Sequence, residues 1–180
     1  MSQIVMRKLS TDPCNSMFDC GVKGINNMIK RSYYSTLLQQ LYCYEIVVDG
    51  IVIGYYMLGF RKIKFEECPG DIGDLFDDLS EDGYCALHIK YIAITAKYQK
   101  RGIGTKVLYI LLRQIKELCK TWPVRIITLD AIRERVEWYK KNGFLLFNEE
   151  DINKGCKEIP MYMDFILEPE KVKDYISQNP

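Results

Sequence analysis

A strand that turns through two glycines straight into a helix, from Tyr91 to Leu108, constrains this chain more than any other stretch. The run Ile89 to Ile94 is largely β-branched, aromatic and apolar, and Val107, Leu108, Leu111, Ile115 and Leu118 recur every three or four residues, as on a helix's buried face. Gly102 and Gly104 therefore fall at the helix entrance. Without Cβ atoms they let successive N–H groups converge, and the unpaired amides and positive dipole end of the first turn favour a bound anion. A pyrophosphate suits such an entrance, although an ordinary strand-to-helix turn reads from the same residues. Two familiar phosphate loops do not fit. Val107 stands where a dinucleotide fingerprint has its third glycine, and no Gly-x4-Gly-Lys-Ser/Thr run occurs.

Around this stretch the chain alternates strands and helices. Ile4 to Leu9 reads as a strand, and Asp12-Pro13 as a turn and helix start. From Gly24, the spacing of Ile25, Met28, Ile29, Tyr33, Leu37, Leu38 and Leu41 predicts helix, read as two consecutive helices covering one face of a sheet. Cys43 to Val48 and Ile51 to Phe60 flank Asp49-Gly50, a strong two-residue hairpin signal. An acidic, Gly-containing connection follows. Ala86 to Ile94 is apolar enough for a central strand buried on both faces. A helix from Gly104 to Lys120 stops at Trp122-Pro123, and Arg125 to Leu129 is another strand. Glu134 to Asn142 is a short helix ended by Gly143, Phe144 to Phe147 a strand, and Met161 to Leu167 the closing strand, opened by Pro160. A charged helix or tail completes the chain. The pattern predicts one α/β domain over residues 1–180, with a mixed sheet and a core over 4–167.

Charge and cysteines narrow the function. A net charge of +1 hides an excess of eight positive charges between Lys97 and Lys141, beside the glycine loop, where twelve basic residues meet four acidic ones. Conversely, Glu66, Glu67, Asp71, Asp74, Asp77, Asp78, Glu81 and Asp82 form an acidic block. Either is a ligand-facing feature or a solvated surface. Seven cysteines, with no Cys-x-x-Cys pair and mostly within apolar runs, suggest a reducing compartment, and no leader or bilayer-spanning run is evident. A cytoplasmic protein is expected.

The string Gln99-x-x-Gly102-x-Gly104 resembles motif A of the GNAT family of N-acetyltransferases, whose loop holds the pyrophosphate of acetyl-CoA. Trp138-Tyr139-Lys140-Lys141-Asn142-Gly143-Phe144 resembles the same family's aromatic-Tyr-x-x-x-Gly-Phe signature. The resemblance covers about residues 43–165. It implies a GNAT-like, splayed central sheet flanked by helices on both faces. It also implies acetyl-CoA as co-substrate with no metal, and direct attack of a primary amine on the thioester.

By that resemblance the cofactor-binding residues are Ile92, Ala93 and Ile94, whose backbone would pair with the pantetheine arm, and Gln99, Lys100, Arg101, Gly102, Ile103, Gly104 and Thr105 around the pyrophosphate. Tyr139 matches the tyrosine that protonates the departing thiolate. A phenol with an ordinary pKa near 10 is protonated at neutral pH, as that role needs, but a tyrosine closing the core reads from the same position. His88 stands where a glutamate base is often found. Strand alternation would put it with residues 90, 92 and 94 on one side. A structural histidine, with Tyr91, Glu45, the acidic block or a water as base, is the alternative. Ile132 and Arg135 replace the family's usual asparagine and small residue, leaving Arg133 or Arg135 as candidate phosphate contacts.

For the acceptor, a small-molecule or protein amine is the first reading, with the acidic connection attracting the cation. The second is aminoacyl-tRNA, because Phe18-Asp19-Cys20-Gly21 with Asn26-Asn27 resembles the opening of GNAT-type toxins. A near-neutral chain is a poor electrostatic match for a large polyanion. A third reading is a binding module without chemistry. A homodimer is left open, and no membrane partner is expected.

Overall fold

A computed structural model describes residues 3–64, 67 and 83–178 of the chain. The acidic connection therefore lies outside the described residues, apart from Glu67. Seven strands form one mixed sheet in the order β1-β2-β3-β4-β5-β7-β6. They are β1 (Ile4–Lys8), β2 (Tyr42–Val48), β3 (Ile51–Ile63), β4 (Tyr84–Ile94), β5 (Ile126–Ile132), β6 (Leu145–Leu146) and β7 (Glu158–Asp164). The helices are α1 (Lys23–Leu37), α2 (Ile103–Cys119), α3 (Val136–Lys141), α4 (Glu150–Asn153) and α5 (Pro169–Gln178). The expected mixed sheet with helices on both faces is what the chain forms.

The Asp49-Gly50 hairpin closes as expected between β2 and β3. Both residues have positive φ, 49° and 79°, the combination a type I′ turn demands. The apolar spacing in α2 buries Val107, Leu108, Leu111 and Ile115 against Leu87, Ile89, Ile127 and Leu129 of the sheet. On the opposite face Ile29 of α1 packs with Cys43, Tyr55, Met57, Tyr91 and Ala93.

Two expectations about the N-terminal half change. A single helix, α1, forms rather than two, because Gln39 turns into the left-handed region at φ 57° and the chain swings into β2. Residues 12–22 are irregular, with a turn at Cys14 and Asn15, rather than a helix. The cause is a local network: Asp19 Oδ1 accepts from the Gly21 N–H and from Asn26 Nδ2, both at 2.7 Å, while Asn26 Oδ1 accepts from the Cys20 N–H at 3.1 Å. Side chains that bond nearby backbone compete with helix formation. At the other end, Pro160 lies within β7 instead of opening it. It is accommodated because its missing donor faces the end of the two-residue β6, where Pro160 O accepts from the Phe147 N–H.

Two irregularities shape the centre of the sheet. Met57 of β3 pairs with Tyr91 but Leu58 pairs with Ile89, so Lys90 is the extra residue of a β-bulge. β4 and β5, the only parallel neighbours, pair solely through Leu87–Ile127, His88–Thr128 and Ile89–Leu129. Both strands run on, to Ile94 and Ile132, without pairing to each other. The sheet therefore forks just beyond the bulge, leaving the facing strand edges open to a ligand.

Candidate active site at the fork

The fork opens into a cavity of about 290 Å³ that also reaches the start of α2. One wall is Lys90 to Ile94 of β4, the other Leu129, Asp130 and Ile132 of β5. Its far end is Lys100, Gly102, Gly104 and Thr105, and Tyr139 and Trp138 of α3 close it.

At the α2 end the backbone turns as an anion cradle requires. Lys100 and Gly102 both have positive φ, 58° and 73°. Alternation of this kind points successive N–H groups into one concavity. Gly102 is the N-cap residue and makes no side-chain cap bond, and the first turn of α2 holds no acid. The amides of Ile103, Gly104 and Thr105, which precede the first intrahelical donor Lys106, keep the unpaired N–H groups of a helix start. This donor set fits a pyrophosphate.

Not every expected loop residue reaches the cavity. Arg101 lies over the ring of Tyr98, its guanidinium 5.5 Å from the ring centre, and Ile103 packs against the core. Neither lines the cavity. Gln99 does, but its amide nitrogen donates to Ile94 O at 2.8 Å and Cys20 O at 2.9 Å. It is thus a brace between β4, the glycine loop and the segment before α1. That segment contributes Cys20 and Val22 to the cavity wall and α1 contributes Ile25, and Ala96 N donates to Asp19 O at 2.9 Å. Ile92, Ala93 and Ile94 line the cavity along an edge without a strand partner, although the Ile94 carbonyl is already engaged by Gln99.

Tyr139 is buried, and its ring stands edge-on to Trp138 and Phe144, with centroids 4.6 and 5.6 Å away. Its hydroxyl has no hydrogen-bond partner among the described residues. Burial, slightly offset by Arg135, pushes its pKa up to about 12. A proton is therefore held on this oxygen throughout the neutral range. Trp138, read from the sequence as part of the same motif, donates from Nε1 to Thr105 Oγ1 at 3.2 Å and ties α3 to the glycine loop.

His88 does not lie where strand alternation puts it. The bulge at Lys90 breaks the alternation, so His88 shares a face with Tyr91 and Ala93, while Ile92 and Ile94 turn to the α2 side. The ring is 3% exposed and does not line the cavity. Nδ1 is 2.8 Å from Thr128 Oγ1, and Nε2 is 3.7 Å from Asp130 Oδ2. Burial, against the opposing pull of Asp130, depresses its pKa well below the usual histidine value.

The alternatives fare no better as bases. Tyr91 lines the cavity, but its hydroxyl is buried against Cys43 Sγ at 3.4 Å and burial raises its pKa strongly. Glu45 is paired with Arg7 at 2.6 Å on the outer strands. Of the two residues at the unusual positions before α3, Ile132 and Arg135 line the cavity, whereas the Arg133 guanidinium bonds the carbonyls of Cys156 and Ile152. The sequence reading passed over Asp130, the one carboxylate among the described cavity residues. Its signal was a lone acid in the apolar strand Ile-Ile-Thr-Leu-Asp-Ala-Ile.

Lying within apolar runs does not bury most of the cysteines. Of the six described, all free, only Cys20 and Cys43 are buried, and Cys14 and Cys85 are exposed. No helix among the described residues is long and apolar enough to cross a membrane.

Comparison with known proteins agrees with this geometry. S-(2-succino)cysteine N-acetyltransferase of Bacillus subtilis (strain 168) is 29% identical over 122 residues, 67% of this chain and 64% of its own length. The chain thus spans less than two thirds of that relative. Among solved structures, a bacterial toxin superposes with a TM-score of 0.76 at 17% identity, over 100% of this chain and 98% of its own. A KacT mutant gives 0.75 at 15% identity, over 96% and 99%. AtaT complexed with acetyl-methionyl-tRNAfMet gives 0.72 at 16% identity, over 94% and 98%. These structures share the fold. Residues 78–165, which carry the fork, the glycine loop and the Tyr139 helix, match the acetyltransferase (GNAT) domain.

Proposed function

We propose that the protein transfers an acetyl group from acetyl-CoA to a primary amine at the fork between β4 and β5. The observation that carries this reading is one continuous cavity joining an uncapped helix N-terminus to a buried, protonated tyrosine along an unpaired strand edge. Acetyl-CoA would supply the activated acyl group as a thioester. Amides of Gly104 and Thr105 would hold the pyrophosphate with Lys100 nearby, Arg135 offering charge from just before α3. The open edge of β4 would take the pantetheine arm as an added strand.

In the reaction the amine nitrogen bonds to the thioester carbon, and an amide at the bulged edge of β4 stabilises the oxyanion. The C–S bond then breaks, and the thiolate takes a proton from Tyr139 Oη. The phenol is restored by the proton that the new amide nitrogen must lose. His88, buried and away from the cavity, takes no direct part.

For the acceptor we favour the α-amine of an amino acid, free or esterified. The curated relative's name specifies an amino-acid derivative, and the AtaT structure contains acetyl-methionyl-tRNA. The chemistry of the site agrees. An α-ammonium whose carboxyl is esterified or in a peptide bond, with a pKa of about 7.7–8.0, is roughly one quarter neutral at pH 7.4, whereas a lysine at about 10.4 is neutral about once in a thousand. A site with no strong base among its described residues suits the former. The six described cysteines, all free, favour a reducing cytoplasmic location.

The test is transfer of label from acetyl-CoA into parallel pools of S-(2-succino)cysteine, methionyl-tRNA, spermidine and protein extract. Label in the first or second supports the reading. Label confined to spermidine or protein lysines overturns the α-amine preference, and acetyl-CoA binding without transfer to any pool supports a non-catalytic module.

A further inference from the structure

Asp130 stands one residue beyond Ile89–Leu129, the last pair that β4 and β5 make. The other charged side chains of the cavity it lines, Lys90, Lys100 and Arg135, are all cationic. An ammonium entering the fork therefore meets a single anion among the described residues. The two oxygens of that carboxylate are not equivalent. Oδ1 accepts from Arg61 Nη1 at 3.0 Å, which reaches over from β3. Oδ2 lies 3.7 Å from His88 Nε2, beyond hydrogen-bond distance, and has no hydrogen bond among the described residues. The side chain is 34% exposed, so Oδ2 is reachable by a ligand.

We propose that Asp130 is the acceptor-binding residue, its Oδ2 docking the amine as an ammonium while Arg61 and the Thr128–His88 pair fix the carboxylate. This rests on the acetyl-transfer reading and deepens it. A carboxylate clamped on one oxygen by a guanidinium cannot rotate freely, so the ammonium is oriented as well as attracted. Thr128 holds the imidazole ring, and the ring limits where the second oxygen can sit. Asp130 binds the charged form. The bound ammonium gives one proton to water before attack, and its second departing proton follows the thiolate through Tyr139. His88 is then a positioning residue, which accounts for a buried histidine beside an active site it does not enter.

The experiment combines two readouts. The first is steady-state transfer to S-(2-succino)cysteine and to methionyl-tRNA. With whichever acceptor takes label, Asp130→Asn should raise the acceptor KM tenfold or more while leaving acetyl-CoA affinity by calorimetry unchanged. Asp130→Glu, which keeps the charge, should recover part of the loss. An unchanged acceptor KM in Asp130→Asn overturns the proposal and leaves the acetyltransferase reading standing. Failure of the native protein to transfer to these two acceptors, to spermidine or to protein lysines overturns both. The second readout needs no variant. His88 is the only histidine in the chain, so its Hε1 ring proton gives one assignable NMR signal. Saturating the protein with the active acceptor should shift that signal. A signal unmoved at saturation overturns the proposal even if the Asp130 variants fail to fold.

Discussion

The indole of Trp138 donates to Thr105 Oγ1 across 3.2 Å, joining the helix that carries Tyr139 to the first turn of the helix that forms the glycine loop. The two halves of the cavity are thus held at a fixed spacing by one side chain. Trp138→Phe keeps an aromatic ring but removes the donor. A neutral hydrogen bond contributes about 0.5–1.5 kcal/mol, so acetyl-CoA affinity should weaken roughly two- to tenfold, as measured by calorimetry. Unchanged affinity would mean that the tie does not position the loop.

The two glycines of the loop should respond differently. Gly102, at φ 73°, needs the left-handed region, so Gly102→Ala should destabilise the fold by about 1 kcal/mol even though its Cβ would meet nothing within 4 Å. Gly104 has no such φ, and a Cβ there meets Trp138 at an ordinary 3.7 Å. Gly104→Asp should therefore fold, with an acid in the first turn suiting the helix dipole. Its carboxylate would nevertheless repel the pyrophosphate. The prediction is a melting temperature within a few degrees of the native protein, from a change of under about 1 kcal/mol, together with lost acetyl-CoA binding.

Tyr139→Phe removes the proposed acid and little else, since the hydroxyl has no partner among the described residues. Turnover should fall by about 10²-fold or more with acetyl-CoA affinity nearly unchanged. Because burial holds the phenol's pKa at about 12, the pH–rate profile should show no alkaline fall from Tyr139 below pH 10. A fall near pH 9 that disappears in Tyr139→Phe would contradict this assignment.

His88 makes a prediction about stability. Its folded pKa is depressed below the unfolded value near 6.5, so the unfolded chain binds a proton that the folded chain refuses. Its contribution is present above pH 6.5 and is lost as pH falls from there toward the lower folded value. Denaturant melts at pH 7 and pH 5 should show a larger loss for the native protein than for His88→Gln, which does not titrate. Equal losses would mean that the imidazole is not held neutral.

Much of this was legible in the sequence, and for identifiable reasons. Asp49-Gly50 and Gly102-x-Gly104 impose local backbone geometry, and local rules survive folding. The apolar spacing of α2 survives because one helix face must be buried. The bulge at Lys90 left only a lone charge in an apolar strand, and that single inserted residue reverses which side of the sheet His88 occupies. Asp130 and the bracing role of Gln99 were hidden because each depends on partners far along the chain, Arg61 and His88 for one and Cys20 for the other.

The most direct test of the central claim is calorimetric titration with acetyl-CoA, followed by transfer of its labelled acetyl group to amino-acid α-amines, in the native protein and in Gly104→Asp and Tyr139→Phe. The account predicts binding and transfer in the native protein, binding without efficient transfer in Tyr139→Phe, and neither in Gly104→Asp. Absence of binding by the native protein at millimolar acetyl-CoA, or full transfer by Tyr139→Phe, would contradict it.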